Sequence, residues 1–254
     1  MNFDPRSSKT VHTVSRILSL FSLEREEIGV REVSQILGLS PGSIHRLLSS
    51  MEGCGFLQKN VNRKYRLGER IFEFGLLFPL HSPLRKIVRP HAEDLAKTFR
   101  TNVQLAIPRK TQPYSAIIID RIVSLEDPIF HSLPFTFDAP FHCSALGKSI
   151  LAFLLPEEKK EVLREMVLTR YTKNTITRMK LLKAELNKIQ KNGFSVDRGE
   201  IFEGLYCVGA PIFQNGRLVG SLSLSDSIGR INDKNVSEVA KVLKEKIAFI
   251  SRQL

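Results

Sequence analysis

Gly38-Leu39-Ser40-Pro41-Gly42-Ser43-Ile44-His45-Arg46-Leu47-Leu48 is the stretch that decides how the first part of this chain folds. Gly38 accepts the left-handed backbone that closes a helix, and Leu39 is expected to pack beneath that turn. Ser40 is a strong N-cap, and Pro41 suits the first helical position. Ile44, Leu47, Leu48 and Met51 then recur at helical spacing and predict a buried stripe. Gly42, Arg46 and Ser49 point the other way, flanked by Ser43 and His45. That outer face is small and polar with one long cation. A helix that enters a DNA major groove needs little bulk near its start and an arm that reaches a base or phosphate.

The flanks agree with this reading. Val11, Val14, Ile17, Leu18 and Phe21 predict one face of an amphipathic helix. After Gly29, a short helix is predicted over 31–37, with Val33, Ile36 and Leu37 inward. Residues 53–55 end the third helix. Phe56-Leu57-Gln58 and Tyr65-Arg66-Leu67 read as two short strands around a polar loop. That loop and its exit carry Arg63, Lys64 and Arg66 in a tight basic cluster. Helix, helix, turn, capped helix and basic hairpin make a winged helix-turn-helix. The DNA-facing candidates are Ser40, Gly42, Ser43, His45, Arg46, Ser49, Arg63 and Lys64, and the expected partner is a double-stranded operator.

Composition sets outer bounds. The 254 residues are 42% hydrophobic and 25% charged, within the range of globular domains. The formal charge of +12 suggests a polyanionic partner. Its distribution does not locate one, because residues 1–80 hold eleven Lys or Arg against eight Asp or Glu, leaving +9 for the rest. Three cysteines, Cys54, Cys143 and Cys207, make no disulfide framework, and the six histidines show no zinc-ligand spacing. Neither metal nor cofactor is expected. The most apolar run, Phe72 to Leu80, is too short for a membrane span. Met1 to Thr10 is too polar for a signal-peptide core. A cytoplasmic protein without membrane contact is therefore expected.

Ile71, Phe72, Phe74, Leu76, Leu77 and Phe78 crowd a segment that needs burial on most sides, against either this chain's second domain or a partner subunit. Pro79 and Pro83 are expected to stop or bend it. Beyond, helices are predicted over 92–99, 144–155, 181–192 and 233–253. Strands are predicted over 102–107, 116–122, 207–213 and 218–225, the last two joined by Gln214-Asn215-Gly216. This is an antiparallel α+β pattern.

Several motifs together resemble the isocitrate-lyase-regulator (IclR) family of bacterial transcription factors. They are the opening stretch with Gly55-Phe56-Leu57 and Tyr65-Arg66-Leu67-Gly68, then His142 to Ala152, and Tyr171-Thr172 with Asn174 to Thr177. Gly193 to Asp197, Glu200, Gly204 to Pro211 and Leu222-Ser223-Leu224-Ser225 complete the set. Where that family usually begins its recognition helix with Ser-Thr, this chain has Gly42-Ser43. The resemblance implies a DNA-binding domain over 1–68, a linker helix and hinge over 69–87, and a GAF-like effector-binding domain over 88–254. It favours burial of the linker against a partner subunit in a homodimer or homotetramer. It also implies that Ala145, Leu146, Asp197, Cys207, Ser223 and Ser225 bind a small organic acid. Amides at a helix start favour a carboxylate, and Ser223 and Ser225, two apart on a strand, share a face. Asp197 would repel an anion unless protonated or hydrogen-bonded.

Two other classes compete. An enzyme would use Cys207 as nucleophile, His142 as base and Asp197 as orienting acid. A redox sensor would use Cys207 or Cys143. Phe130, Phe135, Phe137 and Phe141 are expected in the core or a subunit contact, with lining of a site for a larger acid as the alternative.

Overall fold

A computed structural model describes residues 8–109, 114–127, 138–227 and 229–254. Phe130, Phe135 and Phe137 lie outside that set. The chain divides into two compact units, Met1–His81 and Ser82–Leu254.

The first unit opens with α1 (Lys9–Leu18), α2 (Val30–Leu37) and α3 (Pro41–Gly53). The first helix stops at Leu18, so Phe21 reaches the core from the following turn, and Val11 is exposed rather than inward. Ile36 and Leu39 are also exposed, contrary to expectation, because the short α2 turns only Val33 and Leu37 fully into the core. Gly38 adopts φ 68°, the left-handed turn that lets α3 start in a new direction. The side chain of Ser40 accepts from the Ser43 amide, and Pro41 follows at the helix start. Strands β1 (Leu57–Lys59) and β2 (Tyr65–Leu67) pair antiparallel as the wing. Tyr65 is fully buried and bridges to Ile28, tying the wing to the helices. Helix α4 (Glu69–His81) closes the unit, with Pro79 inside it.

The second unit begins with α5 (Pro83–Phe99), nine residues before the predicted start at Ala92. Ser82 caps this helix by accepting from the Arg85 amide, and Pro83 sits at its first turn, so this proline starts a helix instead of stopping one. Strands β3 (Asn102–Pro108), β4 (Ser115–Ile122) and β5 (Asp138–Pro140) precede helices α6 (Ala145–Phe153), α7 (Pro156–Glu165) and α8 (Met179–Asn192). Then come β6 (Ser195–Arg198), β7 (Tyr206–Gln214), β8 (Arg217–Asp226) and the closing α9 (Val236–Ser251). Short β5 and β6 and helix α7 were not anticipated. The six strands form one antiparallel sheet in the order β5-β4-β3-β8-β7-β6.

Alternation along the strands splits this sheet into two chemical faces. Val103, Leu105, Val208, Leu222 and Leu224 pack against Val88 and Leu95 of α5 and Leu243 and Ile247 of α9. On the other side Ala106 and Ile118 pack with Leu146 and Ile150 of α6 and Leu186 of α8. That second face also carries the polar rungs described next.

Candidate functional site

On the first unit, Ser40, Gly42, Ser43, His45 and Arg46 are exposed, and Ser49 is half-buried. A Cβ placed on Gly42 would meet nothing within 4 Å, so the backbone there is open to approach. The Ser40 hydroxyl donates to Ser43 Oγ at 2.9 Å, so the Ser40 proton is committed to the cap. Arg46 makes no ion pair among the described residues. It borders a shallow surface with Lys9, Thr10 and Thr13 of α1, which the sequence reading did not mark as DNA-facing. On the wing, Lys64 pairs with Glu27 at 2.7 Å, and Arg63 occupies the turn at φ 59°. Lys64 is thus partly neutralised, while Arg63 is exposed.

In the second unit, Ala145, Leu146, Asp197, Cys207, Ser223 and Ser225 all border one cavity of about 60 Å³. The register explains their meeting. Asp197, Cys207 and Ser225 are direct cross-strand partners on β6, β7 and β8. Ser223 faces Gly209 one rung along. A Cβ on Gly209 would come within 2.9 Å of the backbone of Ala145, so only glycine lets the start of α6 sit on the sheet. The Ser144 side chain caps that helix by accepting from the Gly147 amide at 2.8 Å. This leaves the amides of Ala145 and Leu146, which no intrahelical carbonyl reaches, at the cavity wall. Ser195 Oγ donates to the Ala145 carbonyl at 2.6 Å and fastens the same helix start.

Two polar features matter most. Ser225 Oγ is buried and makes no hydrogen bond among the described residues, although it lies close enough to Cys207 to favour its thiolate. Burial pushes the Asp197 carboxyl up to about 7, against the pull of Lys148. Near neutral pH the carboxyl is thus readily protonated and able to donate. Lys148, on the largely apolar α6, is buried; its Nζ donates to the Val196 carbonyl at 2.6 Å and pairs with Glu200. The Glu200 amide donates to Asp197 Oδ1 at 2.7 Å. Thr172 and Thr175 donate through their hydroxyls to the carbonyls of Gly199 and Glu200, each at 2.6 Å, so the Thr-rich turn clamps the Asp197–Glu200 corner. Lys148 was not anticipated here, yet a lysine inside Ala145-Leu-Gly-Lys-Ser-Ile-Leu-Ala carries a signal: a charge in a buried helix needs a buried partner.

The other candidate chemistries lack support in this geometry. Burial and Asp197 push the Cys207 thiol well above its ordinary value, and burial also pushes Cys143 up. A nucleophilic or redox-sensing thiol needs the opposite shift. His142 Nε2 bonds the Thr169 carbonyl at 2.9 Å, and the ring borders a separate cleft from the one holding Cys207. Phe141 is buried in the core beside α6. No helix among the described residues is long and apolar enough to cross a membrane.

A winged helix-turn-helix joined in one chain to a domain whose sheet carries a small cavity with polar groups in its lining is the architecture of a DNA-binding protein with a separate ligand-binding domain. Family comparisons specify it further: the bacterial transcriptional regulator IclR C-terminal family matches residues 80–252, and the IclR helix-turn-helix domain matches residues 14–61. The chain is 31% identical over 236 residues to the transcriptional repressor IclR of Escherichia coli, covering 91% of this chain and 85% of that one. It is similar to the crystal structure of the Thermotoga maritima IclR, with TM-score 0.65, 30% identity, and 96% and 98% of the two chains covered. An IclR homologue from Microbacterium hydrocarbonoxydans, solved with 4-hydroxybenzoate, shares the fold at TM-score 0.71 and 23% identity, covering 97% of this chain and 100% of that one. The chain belongs to the IclR family and is a transcriptional regulator, with a helix-turn-helix DNA-binding domain and a C-terminal effector domain.

Proposed function

We propose that a small organic acid occupies the cavity bounded by α6, β6, β7 and β8 and thereby alters operator binding through α3 and the wing. The observation that carries this reading is the buried Ser225 hydroxyl, which makes no hydrogen bond among the described residues and belongs to a residue bordering the same cavity as Ala145 and Leu146 at the start of α6. A carboxylate supplies acceptors for the Ala145 and Leu146 amides and for the hydroxyls of Ser223 and Ser225. The positive end of the α6 dipole adds to the attraction. A protonated Asp197 donates to the same acid. Cys207 serves as a small packing group beside Ala145, Leu205 and Phe202, and no catalytic role is assigned to it.

Arg46, with the exposed polar face of α3, contacts the DNA, and Arg63 contacts phosphate from the wing. The apolar surface of α4 supports assembly of two or four copies, and the linker and hinge run from about residue 69 to 87. A DNA-binding regulator acts where the chromosome is, in the cytoplasm. No metal or cofactor is assigned.

The test is a thermal-shift and calorimetric panel of small carboxylates, starting with 4-hydroxybenzoate, beside an operator gel shift. Ligand binding to the native state raises its melting temperature. At least one acid is expected to bind, to lose affinity in Ser223→Ala/Ser225→Ala, and to change operator affinity. Undiminished binding in that double variant places the effector elsewhere.

A further inference from the structure

The wing is anchored by a segment outside it. Ile28, just before α2, pairs with Tyr65 through both backbone groups, each hydrogen bond at 2.8 Å. Both side chains are fully buried, which fixes this rung. The preceding residue of each segment, Glu27 and Lys64, is thereby brought to the base of the wing turn.

Both oxygens of the Glu27 carboxylate are engaged there. Oε1 pairs with Lys64 Nζ at 2.7 Å, and Oε2 accepts from Asn60 Nδ2 at 2.5 Å. Asn60 in turn builds the loop. Its Oδ1 accepts from the amides of Asn62 and Lys64, both at 3.0 Å, and its carbonyl accepts from the Arg63 amide at 3.0 Å. One carboxylate therefore orients the residue that shapes the turn and binds the cation that ends it. The hydrogen bond from Lys64 holds the Glu27 carboxyl below its ordinary value, so Glu27 is ionised at neutral pH. The neighbouring carboxylate, Glu32, is already engaged by Arg25 at 3.5 Å and by the Gly29 amide at 3.4 Å.

The basic cluster of the wing is thus less basic toward DNA than its residue types suggest. Arg63 is exposed and makes no ion pair among the described residues. Lys64 has a fixed anion beside it. A DNA phosphate wins Lys64 only by uncovering Glu27, and the bare carboxylate then gathers salt cations in place of those the phosphate released. An exposed ion pair adds little to folding. Its effect on DNA binding is larger, because this counter-anion is tethered and cannot diffuse away as a salt ion does.

Resting on the wing reading above, we propose that Glu27 is the positioning residue of the wing: it orients Asn60 and serves as a built-in counter-anion for Lys64, so that the wing engages the DNA backbone through Arg63 and gains nothing net from Lys64. Removing the charge of Glu27 while keeping its shape then strengthens DNA binding.

Anisotropy titrations of the full chain with a fluorescent random-sequence duplex, at several salt concentrations, test this, since non-specific binding is made almost entirely of phosphate contacts. Glu27→Gln retains an acceptor for Asn60. It is expected to bind several-fold more tightly and to steepen the log–log salt slope by about one unit. Glu27→Gln/Lys64→Gln is expected to return the slope to the wild-type value, which neither a changed fold nor a general repulsion between Glu27 and DNA would produce. Arg63→Gln is expected to flatten the slope by about one unit, and Lys64→Gln by clearly less; this last comparison reads the same cancellation if Glu27→Gln is unstable. An unchanged slope in Glu27→Gln, or a steepening that persists without Lys64, overturns the inference alone as long as Arg63→Gln still flattens the slope. If Arg63→Gln leaves the slope unchanged as well, the wing does not meet the backbone and that reading falls with it.

Discussion

Asp197 carries the most easily tested electrostatics in the molecule. An unfolded aspartate titrates near 4, whereas burial raises the folded value to about 7. Between those values the folded state binds more protons than the unfolded one, so stability falls as pH rises from about 4 to 7. Above 7 the destabilisation is fully present. Asp197→Asn keeps an acceptor for the Glu200 amide and removes the charge. It is expected to be more stable than wild type at pH 8, by on the order of 2–4 kcal/mol, and close to it at pH 4. Urea denaturation across that range checks the difference. Binding of a carboxylate beside Asp197 should take up a proton, so wild-type affinity should weaken above pH 7 and the Asn variant should not. Gly209 is the steric counterpart. Its Cβ would strike the Ala145 backbone, so Gly209→Ala is expected to cost about 1–3 kcal/mol and to lower acid affinity by displacing the helix start. Chemical denaturation and calorimetry on the same variant read both effects.

At the scale of elements, α3 and α4 present opposite problems. The outer face of α3 is polar and its cation is exposed, so Arg46→Ala should leave the fold intact and weaken operator binding. If Arg46 meets a phosphate, the log–log salt slope falls by about one unit; titrations at several salt concentrations measure it. Helix α4 has no fully buried residue, and Phe72 is 67% exposed in the single chain. With Phe74, Leu76, Leu77, Phe78 and Leu80 also exposed, this is a larger apolar surface than a monomer usually shows to water. Phe72→Glu/Leu76→Glu is therefore expected to lower the mass measured by sedimentation. An unchanged mass in a soluble double variant excludes α4 as the subunit contact.

For the whole molecule, function is a coupling between two units. An effector shifts DNA binding only by its differential affinity for the two states. The cavity of about 60 Å³ is well under the roughly 150 Å³ that admits benzene in an engineered core. An acid as large as 4-hydroxybenzoate must therefore widen it, and such widening is a structural difference a ligand can exploit. Linkage makes the coupling reciprocal. If a saturating acid changes operator affinity tenfold, saturating operator must change acid affinity tenfold in the same direction, about 1.4 kcal/mol each way. Paired titrations check the equality, and a mismatch would show that the acid acts through a different oligomer.

Much of this was legible from residues alone, because local rules sufficed. Gly38, Ser40 and Pro41 mark a turn and a capped helix by backbone preference, and Leu222-Ser223-Leu224-Ser225 sorts apolar from polar faces by strand alternation. The family motifs added the membership of Asp197 and Cys207 in one site. Other features depend on partners far along the chain. Lys148 needs Glu200 and Val196 to be buried at acceptable cost, and only the packed domain brings them together. Ile36 follows the helical pattern and Leu39 the turn after it, yet both are exposed in the folded domain. Arg121 is the clearest case. Period-two reading from Ile118 turns it away from the cavity, but β3 pairs Ala106 with Ile118 and Leu105 with Asp120, so one extra residue in β4 brings Arg121 to the cavity border. Sequence by itself determined most of the long helices and strands and the family they compose, since those follow from short-range sterics and periodicity, while the short β5 and β6, helix α7 and the first turns of α5 carried too weak a local signal. Tertiary structure alone decided which charges face the pocket, because register and burial are properties of strands paired across a hundred residues.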